Sequence, residues 1–157
     1  MNKIGIIINP HSKLNKSNIV FINRFKELFQ DKALIKITHT IEELEGVATE
    51  FIANQIEILA INGGDGTISH TLKVFYDHYK KHKLALPKIA LLKGGTINVL
   101  ATNLKIKARN PINIFNQLLQ QIHSYHPLKV KQYTSLIVEN NLGFLFADGV
   151  AFNFLNI

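Results

Sequence analysis

The stretch that decides the predicted fold is the apolar run Ile56–Ile61 followed by Gly63-Gly64-Asp65-Gly66-Thr67. A short, continuous apolar run is typical of a strand buried in a parallel sheet, and a helical pattern follows from Ile68 to Lys81. Glycine allows positive φ angles and close approach of a ligand to the backbone, while a helix N-terminus presents free N–H groups and a positive dipole end. We therefore expect residues 63–67 to bind phosphate, with the Asp65 carboxylate available for a divalent cation or for ligand hydroxyls.

Strand and helix patterns alternate on both sides of this turn. The predicted strands are Ile4–Ile8, Ala33–Thr38, Ile56–Ile61 and Lys88–Leu92. The predicted helices begin at Ser17 or Asn18, Thr40, Ile68, Asn98 and Pro111, and they end near Gln30, Ala53, Lys81, Asn103 and His123. The residues expected on the apolar side of the first helix are Val20, Phe21, Phe25, Leu28 and Phe29. The segment Thr40-Ile41-Glu42-Glu43 has the form of a capping box, so it marks a helix start.

This alternation predicts an α/β fold, a three-layer, doubly wound and mostly parallel sheet. Ligands of such sheets bind outside the carboxyl ends of the strands. Polar loops rich in small residues follow three predicted strands, at Asn9–Lys13, Gly63–Thr67 and Lys93–Asn98. We therefore expect these three loops to converge on one site.

The last part of the chain has a different pattern. Val130 to Glu139 and Leu142 to Ala147 read as two strands joined by a turn at Asn140-Asn141, which predicts a β-hairpin rather than another strand–helix–strand unit. We therefore predict an α/β domain over residues 1–128 and, over residues 129–157, a β-hairpin segment that starts a second, β-rich domain. An apolar hairpin edge of this kind could also support a homodimer.

Composition and charge restrict the class of protein. The chain has 157 residues, of which 46% are hydrophobic and 18% charged, and it has a net charge of +7 and no cysteine. These values suit a globular protein and exclude disulfides and thiolate metal sites, and no apolar run approaches the ~18 residues of a membrane span. We expect a cytoplasmic protein. The basic cluster Lys80-Lys81-His82-Lys83 is interpreted as a solvated helix end or as a contact for anionic lipid head groups, and no aromatic–basic pattern indicates nucleic-acid binding.

Three motifs together resemble the diacylglycerol kinase catalytic domain family, which includes bacterial lipid kinases and sphingosine kinases. They are Asn9-Pro10-His11-Ser12-Lys13, Gly63-Gly64-Asp65-Gly66-Thr67 and Gly95-Thr96-Ile97-Asn98. The acidic glycine motif is shared with NAD kinases, whereas the third motif favours the lipid-kinase branch. The resemblance implies an NAD kinase/diacylglycerol kinase-like fold, and transfer of the γ-phosphoryl of ATP to a lipid hydroxyl such as that of diacylglycerol, with Mg²⁺. It also implies peripheral contact with the inner face of the membrane.

The resemblance also implies roles for individual residues. Asp65 would act catalytically on the metal or the nucleotide, and it would be the Mg²⁺ ligand. A threonine after the second strand would contact nucleotide; Thr40 is preferred over Thr38, although Thr40 fits equally well as a helix N-cap. The full set expected to bind ATP is Asn9, Ser12, Lys13, Thr40, Gly63, Gly64, Asp65, Gly66, Thr67, Gly95, Thr96 and Asn98.

Several positions depart from the family pattern. Lys13 replaces a glycine, Lys93 a proline, Ile97 a small residue and His70 a glutamate. Lys93 is interpreted as an exposed loop residue or as a phosphate contact, and His70 as a polar residue of the first helical turn. These departures keep two alternatives open, a degenerate, non-catalytic nucleotide-binding module and an NAD kinase-like enzyme. The family's general base lies in its second domain, so we expect the isolated chain to be inactive.

Overall fold

The protein is described by a computed structural model, which covers residues 3–16, 18–95, 98–124, 127, 128, 130–132, 136–138 and 142–145. The strands are β1 Ile4–Ile8, β2 Leu34–Ile37, β3 Ile58–Asn62, β4 Lys88–Leu91, β5 Leu136–Val138 and β6 Leu142–Leu145. The helices are α1 Lys13–Lys16, α2 Ile19–Phe29, α3 Glu43–Ala53, α4 Asp65–Lys81, α5 Val99–Asn103 and α6 Pro111–His123. Among these, no helix combines the length and the apolar character needed to cross a membrane.

The first four strands form one parallel sheet in the order β2-β1-β3-β4. In the centre of the sheet Ile6 pairs with Ile35 on one side and with Ala60 on the other. The chain winds outward from β1 to β2 and then returns to continue from β3 on the other side. The direction of winding therefore reverses between β1 and β3, which is the point where ligands bind in doubly wound sheets. The predicted α/β fold class is confirmed.

Helices cover both faces of the sheet because the strand side chains alternate in direction. Ile6 and Ile8 pack with Phe25 of α2 and Phe115 of α6 on one face. On the other face, Ile7, Leu59 and Ile61 belong to a cluster with residues of α3, α4 and α5. Gly5 makes this second layer close-packed, since a Cβ there would lie 2.2 Å from the Phe51 ring.

Local sequence signals account for most helix ends. Asn18 and Asn110 cap α2 and α6, accepting hydrogen bonds from the Phe21 and Ile112 backbone N–H groups at 2.9 and 2.8 Å. The helices α3, α4 and α5 each end in the double hydrogen-bond pattern of a Schellman motif. The left-handed position that follows each of them is taken by Gln55, Lys83 and Lys105 rather than by glycine.

Some predicted elements were wrong in detail. In α2, Ile22 is buried whereas the predicted core residues Val20 and Leu28 are 72% and 44% exposed. The helix predicted from Ile68 begins at Asp65, so most of the glycine motif is helical, and the short helix α1 was not predicted. The strands β5 and β6 pair in antiparallel fashion, as a hairpin requires, but the predicted turn at Asn140-Asn141 lies outside the described residues. The division into domains at residue 128 stays a prediction.

Candidate functional site

The loop after β1 is built around Asn9, whose polar groups all have partners. Its backbone N–H donates to the Asn62 carbonyl of β3 at 3.0 Å, and its Oδ1 accepts from the His11 N–H at 2.8 Å. Its carbonyl accepts from Ser12 Oγ at 2.9 Å and from Asn15 Nδ2 at 2.7 Å. Ser12 and Asn15 therefore stabilise the loop itself, and their polar groups turn inward.

The glycine turn after β3 places Thr67 against this loop. Asn9 Nδ2 donates to Thr67 Oγ1 at 2.8 Å, which joins the loop after β1 to the first turn of α4. A Cβ on Gly63 would lie only 2.4 Å from the Thr67 Cβ. Glycine at position 63 is thus required so that the Thr67 side chain can fold back over the turn.

The first turn of α4 leaves backbone donors free. The first intrahelical hydrogen bond joins the Ile68 N–H to the Gly64 carbonyl at 3.0 Å. Within the described part of the chain, the N–H groups of Asp65, Gly66 and Thr67 have no hydrogen-bond acceptor. A Cβ on Gly66 would meet nothing within 4 Å, so the backbone there is open to an approaching ligand.

The loop after β4 packs directly on the glycine turn. A Cβ on Gly95 would lie 2.3 Å from the Gly64 Cα, and one on Gly94 would lie 2.2 Å from Asn62 Oδ1. These two glycines are therefore needed because the loop after β4 packs closely on the end of β3 and the glycine turn, and not because they adopt a positive φ. Among the described residues of this loop, Lys93 and Asn98 have left-handed conformations, with φ of 55° and 46°.

Asp65 connects the same two loops through its side chain. Its Oδ2 accepts from the Val99 N–H at 3.0 Å, and its Oδ1 accepts from the Leu100 N–H at 3.4 Å. These donors are the first N–H groups of α5, which a carboxylate stabilises as an N-cap does. The residue expected to hold Mg²⁺ and act catalytically thus also anchors α5 to α4.

Asn98 and Lys93 have partners that the sequence did not suggest. Both ends of the Asn98 amide contact Gly95: Oδ1 accepts from the Gly95 N–H at 3.2 Å, and Nδ2 donates to the Gly95 carbonyl. Lys93 is half-buried and donates through Nζ to the Ile106 carbonyl. The interpretation of Lys93 as an exposed loop residue was wrong, and its ammonium group contacts backbone.

A cleft of about 320 Å³ opens at the switch point of the sheet, between the loops after β1 and β2 and the start of α4. This volume is near the lower end of the range for small-molecule sites. Its lining carries hydroxyls, an amide and two imidazoles, and it includes no lysine, arginine or carboxylate among the residues that the structure describes. The lining residues are Asn9, Thr38, His39, Thr40, Ile41, Leu44, Gly66, Thr67, His70 and Thr71.

Thr40 lies on this cleft and also contacts the start of α3. Its Oγ1 accepts from the Glu43 N–H at 3.4 Å, while Glu43 Oε2 accepts from the His39 N–H at 2.7 Å. The pair differs from a capping box in two ways: Glu43 accepts from the N–H of the residue before Thr40, and Glu42, two positions after Thr40, is the N-cap residue. The pKa of the exposed Glu42 carboxyl is lowered by a hydrogen bond from its own backbone N–H and then by one from Thr40.

The predicted nucleotide-binding residues divide into two groups. Those that line the cleft are Asn9, Thr40, Gly66 and Thr67. Those that support the loops without lining it are Ser12, Gly63, Gly64, Asp65, Gly95 and Asn98, whereas Lys13 is an exposed residue of α1. Thr96 and Ile97 lie outside the described residues.

Sequence reasoning missed part of the cleft wall. Thr71 was not singled out, and Thr38 was only an alternative to Thr40. A signal for Thr71 was present, since residues four apart lie on the same face of a helix and Thr67 was already a candidate.

The donor set fits Mg²⁺ that arrives with a nucleotide. No group of three or more histidine, aspartate or glutamate side chains placed to hold a metal occurs in the described ranges. Mg²⁺ in phosphate sites is commonly bound by one or two carboxylates together with substrate phosphates. Asp65 can supply one such carboxylate, because each oxygen keeps acceptor capacity beside its single backbone hydrogen bond.

A larger groove of about 760 Å³ runs along β4 and is lined mostly by apolar side chains. None of the carboxyl-end loop residues that line the cleft takes part in it. In the described part of the sheet β4 pairs only with β3, so the groove follows an open sheet edge. We attribute it to that edge and not to ligand binding.

Comparison with known proteins links this geometry to a family. The family model of the diacylglycerol kinase catalytic domain matches residues 3–130. A solved structure of a diacylglycerol kinase from Bacillus anthracis str. Sterne has a TM-score of 0.55 at 20% identity, covering 76% of this chain and 42% of that one. A second structure from the same strain has a TM-score of 0.56 at 20% identity and coverages of 76% and 41%.

This chain therefore spans about two fifths of the length of the proteins in those structures. At 20% identity, the structural likeness shows the fold alone. Comparison with curated protein sequences found no match.

Proposed function

The chain belongs to the diacylglycerol kinase catalytic domain family, and from this membership we propose that it binds ATP with Mg²⁺ and forms the nucleotide-binding part of a lipid kinase. The observation that carries the proposal is the set of free N–H groups on the first turn of α4, beside the cleft at the switch point. Such a helix start binds phosphate through its N–H groups and its dipole.

In the proposed reaction, the oxygen of a lipid hydroxyl attacks the γ-phosphorus of ATP and the bond from that phosphorus to the β,γ-bridging oxygen breaks. ADP leaves, and the hydroxyl proton passes to a base. Phosphoryl transfer depends mainly on positioning and charge stabilisation. Gly66 and Thr67 would hold phosphate oxygens through their N–H groups. Mg²⁺ would neutralise phosphate charge, with Asp65 as its protein ligand.

We place the acceptor-binding residues and the general base outside this chain, and we therefore expect the chain alone to show negligible transfer activity.

We propose that the full protein works at the cytoplasmic face of a membrane, where its lipid acceptor lies. The basic residues Lys80, Lys81 and Lys83 are exposed at the far end of α4, about 14–22 Å along the helix from its residues that line the cleft. We therefore interpret them as a solvated helix end and not as the contact that brings the cleft to lipid.

Isothermal titration of the chain with Mg²⁺ and ATP tests the proposal. We expect saturable binding, and no detectable heat of binding at millimolar nucleotide would refute it. The sharper test is Gly66→Ala, which adds one methyl group to the open backbone at the helix start. We expect it to weaken ATP binding roughly tenfold or more, because the methyl group would stand between the phosphate and the N–H groups.

Gly66→Ala should fold at least as well as the wild type, since its Cβ meets nothing within 4 Å and alanine favours a helix. Gly46→Ala in α3 is the matched control, because its Cβ is equally unobstructed and lies away from the cleft. We expect Gly46→Ala to raise stability and leave ATP binding unchanged. Equal ATP affinity of all three proteins would contradict phosphate binding at this turn.

A non-catalytic nucleotide-binding module is the second candidate function. It is favoured by His70, which lines the cleft where the family pattern has glutamate. A phosphoryl-transfer assay on the product of the complete reading frame separates the two. Transfer to a lipid alcohol that Asp65→Asn abolishes in a folded protein would exclude the non-catalytic alternative, and transfer to NAD would indicate NAD kinase-like chemistry.

A further inference from the structure

Thr71 carries a buried hydroxyl that lacks a hydrogen-bond partner among the residues that the structure describes. The residue lies in the second turn of α4, has 0% of its surface exposed and lines the cleft. Its Oγ1 is buried and makes no hydrogen bond to the described residues. Threonine in a helix can usually donate to the carbonyl four residues earlier, as Thr49 does to Glu45 at 3.0 Å, but Thr71 does not.

A buried hydroxyl without a partner destabilises a protein, and valine would fill the same space without that cost. In the described part of the chain two other buried side-chain atoms lack partners, Asn62 Nδ2 and Tyr79 Oη, but neither residue lines the cleft. Of these three residues, Thr71 is the one that both carries an unpartnered buried atom and lines the cleft. A group of a bound ligand is therefore the natural partner for this hydroxyl.

The position of Thr71 indicates which part of a nucleotide it meets. Phosphate would lie at the N–H groups of Gly66 and Thr67, and Thr71 is one helical turn further, about 6 Å along the axis. The hydroxyls of Thr38 and Thr40 belong to the same cleft, whose lining has no lysine, arginine or carboxylate among the described residues. Such a wall suits a neutral group that both donates and accepts hydrogen bonds, which is the character of a sugar hydroxyl next to the phosphates.

We propose that the Thr71 hydroxyl binds a ribose hydroxyl of the nucleotide held in the cleft. This inference rests on the proposed ATP binding and adds to it a residue that determines sugar specificity. Ile68 and Leu72, its neighbours in α4, are buried in the core, whereas Thr71 is buried beside the cleft.

The experiment compares wild type, Thr71→Val and Thr71→Ser by titration with the Mg²⁺ complexes of ATP, 2′-deoxy-ATP and 3′-deoxy-ATP. Wild type should bind one of the deoxy nucleotides about tenfold more weakly than ATP. Thr71→Val should bind ATP about tenfold more weakly than wild type and should not distinguish ATP from that deoxy nucleotide. Thr71→Ser should restore the discrimination.

Thermal unfolding gives the second readout. Thr71→Val should raise the midpoint temperature of the free protein, by roughly 3 °C, since it removes an unpaired buried hydroxyl. Thr49→Val is the control, because the Thr49 hydroxyl lies on α3 and its partner is backbone. It should alter neither the nucleotide affinity nor the discrimination between sugars.

The outcomes separate the two proposals. If wild type binds no ATP, both the proposed function and this inference fail. If wild type binds ATP but Thr71→Val binds it equally well, ATP binding stands and the inference is overturned. Should Thr71→Val fail to fold, equal affinity of wild type for all three nucleotides would still overturn it.

Discussion

Replacing Asp65 by asparagine should destabilise the fold as well as impair any chemistry. The Asp65 carboxylate accepts one well-placed hydrogen bond from Val99, at 3.0 Å, and one long one from Leu100, at 3.4 Å. Asparagine keeps one acceptor but loses the charge and directs an NH₂ group at the remaining N–H. Complete loss of a side-chain cap costs about 0.5–2 kcal/mol, and loss of a charge at a helix start costs about 0.3–1 kcal/mol. Because asparagine keeps one of the two acceptors, we expect the free energy of unfolding to decrease by about 1–2 kcal/mol.

Urea denaturation and thermal unfolding measure this effect. For a domain of this size the decrease corresponds to roughly 2–8 °C in the midpoint temperature. Hydrogen exchange should localise it, with faster exchange of the Val99 and Leu100 amides. Activity lost in Asp65→Asn can be assigned to chemistry only after this structural effect has been measured.

Asp77→Asn is the matched control for the same chemical change. Asp77 is an exposed residue of α4 that pairs with Lys73 four positions earlier. A surface pair of this kind contributes little, so we expect a change below about 0.5 kcal/mol. Equal stability of Asp65→Asn and wild type, or an equal loss in both variants, would refute the role of Asp65 as the anchor of α5.

Two further predictions concern stability. Lys83→Gly should raise the free energy of unfolding by about 0.5–1 kcal/mol, because Lys83 follows α4 with a φ of 56°, a conformation in which glycine is unstrained. Lys81→Gly is the control, since Lys81 lies inside the last turn of the helix. In the same denaturation assay it should lower the free energy of unfolding by a similar amount. Burial raises the pKa of Tyr79, so folding disfavours its phenolate and stability should fall as the pH rises past about 10, where the unfolded chain ionises first. Tyr79→Phe should lessen this alkaline loss of stability. It should not destabilise the protein at neutral pH, since Tyr79 Oη has no partner among the described residues. Urea titrations at neutral pH and above about pH 10 test both statements, and an unchanged alkaline loss would show that Tyr79 is not its cause.

The sheet could be predicted because its signals are local. The strand runs β1 and β3 are continuous apolar segments that end at Asn9-Pro10 and at the glycine turn, and both are buried at every position. Alternation with helices then restricts the connections to a parallel, doubly wound sheet. The position of the cleft agrees with the same rule, because the carboxyl ends of β1 and β3 meet at the switch point.

The orientation of side chains could not be predicted in the same way. The helix α2 has apolar residues around much of its circumference, and only packing of Phe25 and Phe29 on Phe115 of α6 decides which face is buried. That contact joins residues far apart in sequence, so Ile22 is buried while Val20 is exposed.

The hydrogen bonds that the motif residues make also depend on groups far away in the sequence. Asp65 contacts N–H groups 34 and 35 positions later, and Lys93 contacts a carbonyl 13 positions later. Neither partner has a side-chain signal in the sequence, because the groups involved are backbone atoms. The motifs therefore predicted which loops meet at the switch point, whereas the side chains that line the cleft could be identified only from the folded structure.

The contact between Gly64 and Gly95 restricts how this protein can change its preference for a nucleotide through mutation. Any side chain at Gly95 would meet the Gly64 backbone at 2.3 Å, and one at Gly94 would meet Asn62 at 2.2 Å, so these two positions accept almost no variation. On the opposite wall, His39, Thr40 and Ile41 are exposed and carry no such constraint. A library randomised at residues 39–41 should thus yield folded proteins with altered base or sugar preference, whereas one randomised at residues 94 and 95 should yield mainly unfolded chains.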